Sequence, residues 1–228
     1  MEELEELTSR FDFDVEFYYQ KNVSKEMRAE NYEIKGAVYE HSEGIGVRVL
    51  KDGKIGFSYT TNLDNIEDTV KRAERMSKFS ENVSLSFPNM KPRKVSGLYN
   101  KKIPDMGFSD MKEMLKLIID VEKGVEPIIN NICLEYGERE ILNTNGFFGK
   151  ERYTYFMAYA SVKTKGLPAS TGYDYLFARE IPENMEKIGE NARELALMSR
   201  NPKKINSGIY DVILKPKPTV PPQCRPTR

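Results

Sequence analysis

The stretch Glu43-Gly-Ile-Gly-Val-Arg-Val-Leu-Lys-Asp-Gly-Lys-Ile-Gly-Phe-Ser-Tyr-Thr-Thr61 decides the fold class. Ile45, Val47 and Val49 alternate along its first half, and Ile55, Phe57 and Tyr59 along its second. Each half therefore presents one apolar face with the period of two that a half-buried strand has. Between them, Asp52-Gly53 suits a two-residue type I′ turn, whose central residues both need φ > 0. A β-hairpin follows. Gly44, Gly46 and Gly56 interrupt strands that otherwise hold branched and aromatic residues, which marks bulges or points where another backbone comes close.

Toward the N-terminus, a short acidic helix precedes two further half-buried strands. Val15, Phe17 and Tyr19 alternate in one of them, and Tyr32, Ile34 and Val38 sit two or four apart in the other. On the far side of the hairpin, Asp64 is placed to cap a helix with Glu67 three residues later, and Ile66, Val70, Ala73, Met76 and Phe79 form its apolar stripe. The opposite face of that helix mixes both charge signs and reads as solvated. Residues 81–108 change character. Five Pro and Gly residues exclude a long helix there, so the segment is a linker or excursion between elements. It carries the basic cluster Lys91, Arg93, Lys94, Lys101 and Lys102, which either contacts an acidic peptide or partner subunit or serves solubility alone.

A helix capped by Ser109 then runs through Met111, Met114, Leu115, Ile118 and Val121 toward Gly124, a suitable residue just past a helix end. Strand patterning returns from Ile128, with Ile132, Leu134 and Tyr136 alternating before the Asn143-Thr-Asn-Gly146 turn. In the next stretch Phe156, Ala158, Ala160 and Val162 share one face, and Tyr153, Tyr155, Met157 and Tyr159 the other. That strand is buried on both sides or faces a cleft with its tyrosines. Asp174 and Arg179 form an ion pair at a strand end or position a substrate backbone. After Pro182, Met185, Ile188, Ala192, Leu195 and Ser199 share a helix face that Asn201-Pro202 stops. Val212, Ile213 and Leu214 begin another strand. Residues 216–228, dense in proline and without periodicity, are predicted disordered.

With 228 residues and 39% hydrophobic content, the chain can bury a real core. Its 35 Lys and Arg balance 35 Asp and Glu, so no overall field draws it to nucleic acid. Tyrosine-rich strands can stack on bases, but no cation interleaves with these tyrosines until Lys163, so a packed aromatic strand is the favoured reading. No apolar run approaches the ~20 residues that span a bilayer, and the acidic start is unlike a signal peptide, so neither membrane nor nucleic acid is an expected partner and a cytoplasmic location is. Cys133 and Cys224 give no disulfide framework or metal-ligand spacing. His41, the single histidine, lies just before a predicted strand and lacks the second imidazole of a helical zinc motif. Gly44-Ile-Gly46 lacks the third glycine and helix start of a phosphate-binding loop. We assign no catalytic, cofactor-binding or metal-binding residue to this chain from its sequence.

Gly44-Ile-Gly-Val-Arg48-Val, Asp52-Gly53 and Gly56-Phe-Ser-Tyr-Thr60 together resemble the N-terminal signature of the TldD/PmbA family, known as modulators of DNA gyrase and microcin-processing metallopeptidases. The likeness continues through Asn143-Thr-Asn-Gly146, Gly172-Tyr-Asp-Tyr175 with Arg179, Ile188-Gly189, Ala192 and Gly208-Ile-Tyr-Asp-Val-Ile-Leu214. The segment from Ala169 to Arg179 is more similar to the PmbA (TldE) branch. The resemblance implies an α+β (α/β) fold, a mostly antiparallel curved sheet backed by helices over residues 1–205. Residues 206–215 would form the first strand of a missing C-terminal β domain, followed by a non-family tail at 216–228, as in a truncated or frame-shifted member. It further implies a role as the partner of a TldD-like paralogue, or as a homodimer, in a zinc metallopeptidase acting on peptides. The zinc would then lie in the TldD-like subunit. The alternative is a stand-alone protein-interaction module.

Overall fold

The computed structural model describes residues 6–120 and 124–213. Six strands, β1 (Asp14–Glu30), β2 (Glu33–Lys51), β3 (Lys54–Thr60), β4 (Val125–Asn143), β5 (Phe148–Thr164) and β6 (Thr171–Ala178), form one sheet in the order β3-β2-β1-β4-β5-β6. Helices α1 (Ile66–Ser77), α2 (Lys102–Asp105), α3 (Phe108–Ile119) and α4 (Glu186–Met198) accompany it. The α+β class and the mostly antiparallel sheet agree with the alternation in the sequence. The hairpin forms as expected, with Asp52 at φ 52° and Gly53 at φ 70° closing Lys51 against Lys54. The central pair is antiparallel too, because the Thr144 N–H donates to the Val15 carbonyl and the Asn31 N–H to the Ile128 carbonyl, each at 2.9 Å.

Residues 32–38 do not make a separate strand. Chain reversal occurs once, at Asn31 with φ 54°, and β2 then runs unbroken from Glu33 into the hairpin, because no proline or turn pair interrupts its pairing. His41 consequently lies inside β2 rather than before a strand.

Contacts divide the described residues into two units, 6–25, 39–105 and 134–154 in one, and 26–38, 106–120, 124–133 and 155–213 in the other. In the first, Leu7, Val15, Phe17, Ile45, Val47, Val49, Val70, Ala73 and Leu142 form one core. Removing a side chain such as Phe17 from water contributes about 1.5–3 kcal/mol. The register sets Val47 opposite Ser58 and Val49 opposite Gly56, so Phe57 and Tyr59 point to the other face and are exposed. Helix α1 packs on β3 through Gly56, where a Cβ would fall inside the Ala73 carbonyl and 2.6 Å from the Ser77 nitrogen. Val70 and Ala73 of the expected stripe are buried, but this contact brings Thr69 and Ser77 in beside them and leaves Met76 and Phe79 exposed. Its start differs as well. A 3₁₀ turn at Leu63–Asn65 precedes it, capped by Asn62, which accepts the Asp64 N–H at 3.1 Å, and the helix itself begins after Asn65, whose side chain makes no capping bond.

In the second unit, α3 touches α4, and α4 packs on β6 through Gly172, which lies against the Ala192 carbonyl and the Ala196 nitrogen. Met111, Leu115 and Ile118 are buried as expected, but the helix begins after Gly107 instead of Ser109. The Gly107 N–H reaches the Asp110 carboxylate at 2.8 Å, so Asp110 supplies the capping oxygen from inside the helix. The helix ends at Ile119 with Asp120 as its cap, short of Gly124, and Val121 lies outside the described residues. On α4, Ala196 is buried and Leu195 exposed, because only a small side chain fits where the helix meets Gly172. Phe156, Ala158, Ala160 and Val162 are all fully buried. Val212 and Ile213 are exposed and belong to no strand. Leu214, residues 215–228 and with them Cys224 lie outside the described residues.

Candidate functional site

Within the first unit, side chains that alternate with the core point to the face opposite α1, and the excursion after α1 covers part of that face. Its attachments come from the Asn143–Gly146 turn. Asn143 is buried, and its amide oxygen accepts from the Asn145 and Phe147 N–H groups at 2.9 and 3.1 Å. The same side chain donates to the Pro88 carbonyl at 2.9 Å, and Asn145 donates to the Phe87 carbonyl at 3.0 Å. The Phe87 ring lies 5.6 Å from the guanidinium of Arg48, which pairs with the buried carboxylate of Glu16. At its other end, the Thr154 N–H donates to the Leu98 carbonyl and the Asn100 N–H to Thr154 Oγ1, both at 2.9 Å.

Between these anchors, Pro92–Tyr99 stands over the sheet and encloses a groove of about 850 Å³, with Tyr18, Ile141 and Gly149 on the sheet side. Arg93, Lys94, Arg139, Lys150 and Arg152 line it, against one carboxylate, Glu151. Arg139 lies 4.2 Å over the Tyr153 ring and 3.7 Å from Glu151. Arg152 lies 3.8 Å over the Tyr99 ring and donates to its hydroxyl. Stacking fixes both guanidinium planes. Lys150 is committed elsewhere, at 2.5 Å from Glu140 and 3.4 Å from Glu138, and the hydrogen bond to Glu140 holds its pKa above the ordinary lysine value. Behind the groove, the Tyr153 hydroxyl donates to Asn22 at 2.9 Å and accepts from Gln20 at 3.3 Å, while burial pushes its pKa up. Burial likewise raises the carboxyl of Glu135.

His41 belongs to a different cluster. Its Nε2 lies 3.9 Å from Glu43, whose carboxylate also accepts from the Tyr19 hydroxyl at 2.8 Å and faces Lys21 at 3.6 Å. The Tyr19 hydrogen bond, then Lys21, holds Glu43 below the usual carboxylate range; burial first, and Glu43 second, raise Tyr19. Cys133 is a buried free thiol. Among the described residues, no three His, Cys, Asp or Glu side chains converge where a metal could sit. Asp174 accepts from Asn191 at 2.8 Å, and Arg179 stacks 4.7 Å over Tyr155.

Of the predicted basic cluster, Arg93 and Lys94 line the groove, and Lys91, Lys101 and Lys102 do not. Arg139 and Arg152 were not anticipated. The legible Asn143–Gly146 turn carries the signal, because pairing backward from it brings Arg139 beside Glu151.

The chain matches two family models, PmbA/TldA metallopeptidase domain 1 over residues 15–77 and the PmbA/TldA metallopeptidase central domain over residues 101–200, which together cover more than half of it. The chain belongs to the PmbA/TldA metallopeptidase family. In PmbA/TldA terms, domain 1 holds β1 to α1, and the central domain holds α2 to α4. The chain is 27% identical over 219 residues to an uncharacterised protein of Methanocaldococcus jannaschii, covering 95% of this chain and 51% of that one. Its fold is similar to a modulator of a DNA gyrase from Thermotoga maritima, with a TM-score of 0.82, 21% identity, and coverage of 91% of this chain and 49% of the other. It is also similar to TldE from Thermococcus kodakarensis, with a TM-score of 0.76, 20% identity, and coverage of 88% and 48%. The chain thus spans about half the length of these relatives. Among its described residues, no helix is long and apolar enough to cross a membrane.

Proposed function

We propose that this chain acts as the PmbA/TldE-like partner in a cytoplasmic two-subunit zinc metallopeptidase that degrades or matures unstructured peptides. The observation that carries the reading is the match to both the first and the central metallopeptidase-family domains in their family order. The zinc, its ligands and the general base then belong to a TldD-like paralogue, and this chain contributes cleft wall and pairing surface. On the same reading, residues 206–215 open a β-rich second domain. Exposed Ile209, Val212 and Ile213 supply the apolar side chains such a strand needs.

The test is co-expression with a zinc-bearing paralogue, one subunit tagged, followed by cleavage assays on an unstructured peptide. Co-elution, and hydrolysis that requires both chains and stops with a chelator, are expected. If the paralogue elutes alone and cleaves equally well without this chain, the partner role is wrong and the stand-alone interaction module replaces it.

A further inference from the structure

We infer that the groove between Pro92–Tyr99 and the sheet binds an acidic peptide segment in extended form. Its volume of about 850 Å³ lies within the ~300–1,000 Å³ typical of ligand sites. Its charged lining is mostly positive. Arg93 and Lys94 are exposed on one wall, stacked Arg139 and Arg152 stand on the other, and Glu151 is the single lining carboxylate. Lys150 adds little, since Glu138 and Glu140 already meet it.

Three features favour carboxylates on a peptide. A guanidinium is the planar, many-donor cation best matched to a carboxylate, and stacking on Tyr153 and Tyr99 orients both planes before a ligand arrives. Tyr18, Tyr99 and Phe147 place aromatic surface among the cations, so apolar side chains alternating with acidic ones find contacts too. The chain as a whole carries no net charge, so the positive field is local to a short groove rather than spread along a surface that tracks a nucleic-acid backbone.

The peptide class rests on the peptidase reading above, but the groove and its charge do not. The experiment is fluorescence anisotropy of the full chain with a fluorescein-labelled octapeptide of alternating glutamate and leucine. Its lysine–leucine counterpart and a single-stranded oligonucleotide of equal charge serve as comparisons. Expected is binding of the acidic peptide at low salt, at least ~10-fold weakening with the double variant Arg93→Glu/Lys94→Glu, and weakening at high salt. Both substituted residues are exposed, and circular dichroism of the variant confirms that it folds. Equal binding of both peptides, no binding at low salt, an unaffected double variant, or tighter oligonucleotide binding that depends on the same two residues would each overturn the inference. Co-elution of the double variant with the paralogue is scored separately. Peptide binding lost while pairing is retained supports the groove; wild-type pairing that fails while acidic-peptide binding persists removes the partner role and leaves the groove standing.

Discussion

At the β3 edge of the sheet, Gly56 lies against the Ala73 carbonyl and Ser77 nitrogen of α1; at the β6 edge, Gly172 lies against the Ala192 carbonyl and Ala196 nitrogen of α4. In both places the second strand of a hairpin carries a glycine that meets helix residues four apart, and the helix is the next long element in the chain. The chain runs through three strands and a helix twice, over residues 14–77 and again over 125–198. The opposite faces diverge. Near the second edge, Tyr159 stacks on Tyr173 and Tyr155 on Phe177. In the first unit the chain leaves α1 and lays Phe87 over Arg48, with the basic groove beyond. The repeated part is scaffold, and what is inserted between the two passes closes a groove over Tyr18, Arg139 and Arg152 of its strands.

The largest effect should come from filling the two glycine contacts. Gly56→Ala and Gly172→Ala each drive a methyl into helix backbone, which cannot rotate away as a side chain can. Each should cost about 3 kcal/mol or more in urea unfolding, at the upper end of overpacking penalties. A near-neutral result at only one of the two would break the equivalence of the edges.

An intermediate effect tests the difference between them. Asn143→Ala removes three hydrogen bonds from a buried side chain, one of them to Pro88. About 2–3 kcal/mol should be lost, and hydrogen exchange around residues 88–99 should accelerate. Unchanged exchange there would mean that the bonds at Phe87, Leu98 and Asn100 suffice to hold the excursion.

The smallest effects concern pH and the first unit. Glu43 is held below the ordinary carboxyl value of 4.5, so its contribution is present above that value and is lost as pH falls through the depressed one. Glu135 is raised by burial, so its ionisation erodes stability as pH climbs above 4.5. Urea midpoints between about pH 3 and 8 should therefore show a flatter acid limb for Glu43→Gln, and equal or slightly higher neutral-pH stability for Glu135→Gln. A marked neutral-pH loss in the latter would show that the charged form is needed.

Much of the scaffold was legible because period and turn chemistry act locally. Asp52-Gly53 and Asn143–Gly146 formed the turns their residues require, and alternating Ile45, Val47 and Val49 marked the buried face. Helix faces were read less well. Ala73 and Ala192 of the expected stripes are buried, but tertiary contact at the two glycines adds Ser77 and Ala196 in place of Met76, Phe79 and Leu195. The groove was half visible: Arg93 and Lys94 stood out as a cluster, whereas Arg139 and Arg152 join them only through strand pairing and stacking, which no local window records.

The glycine contact also has a mechanical meaning. With no side chain between β3 and α1, the helix cannot roll about its own axis or slide by a fraction of a turn without driving the Ala73 carbonyl into the strand. Edge strand and helix therefore move as a single lever. A second chain that added a strand along β3 would therefore meet strand and helix as one body.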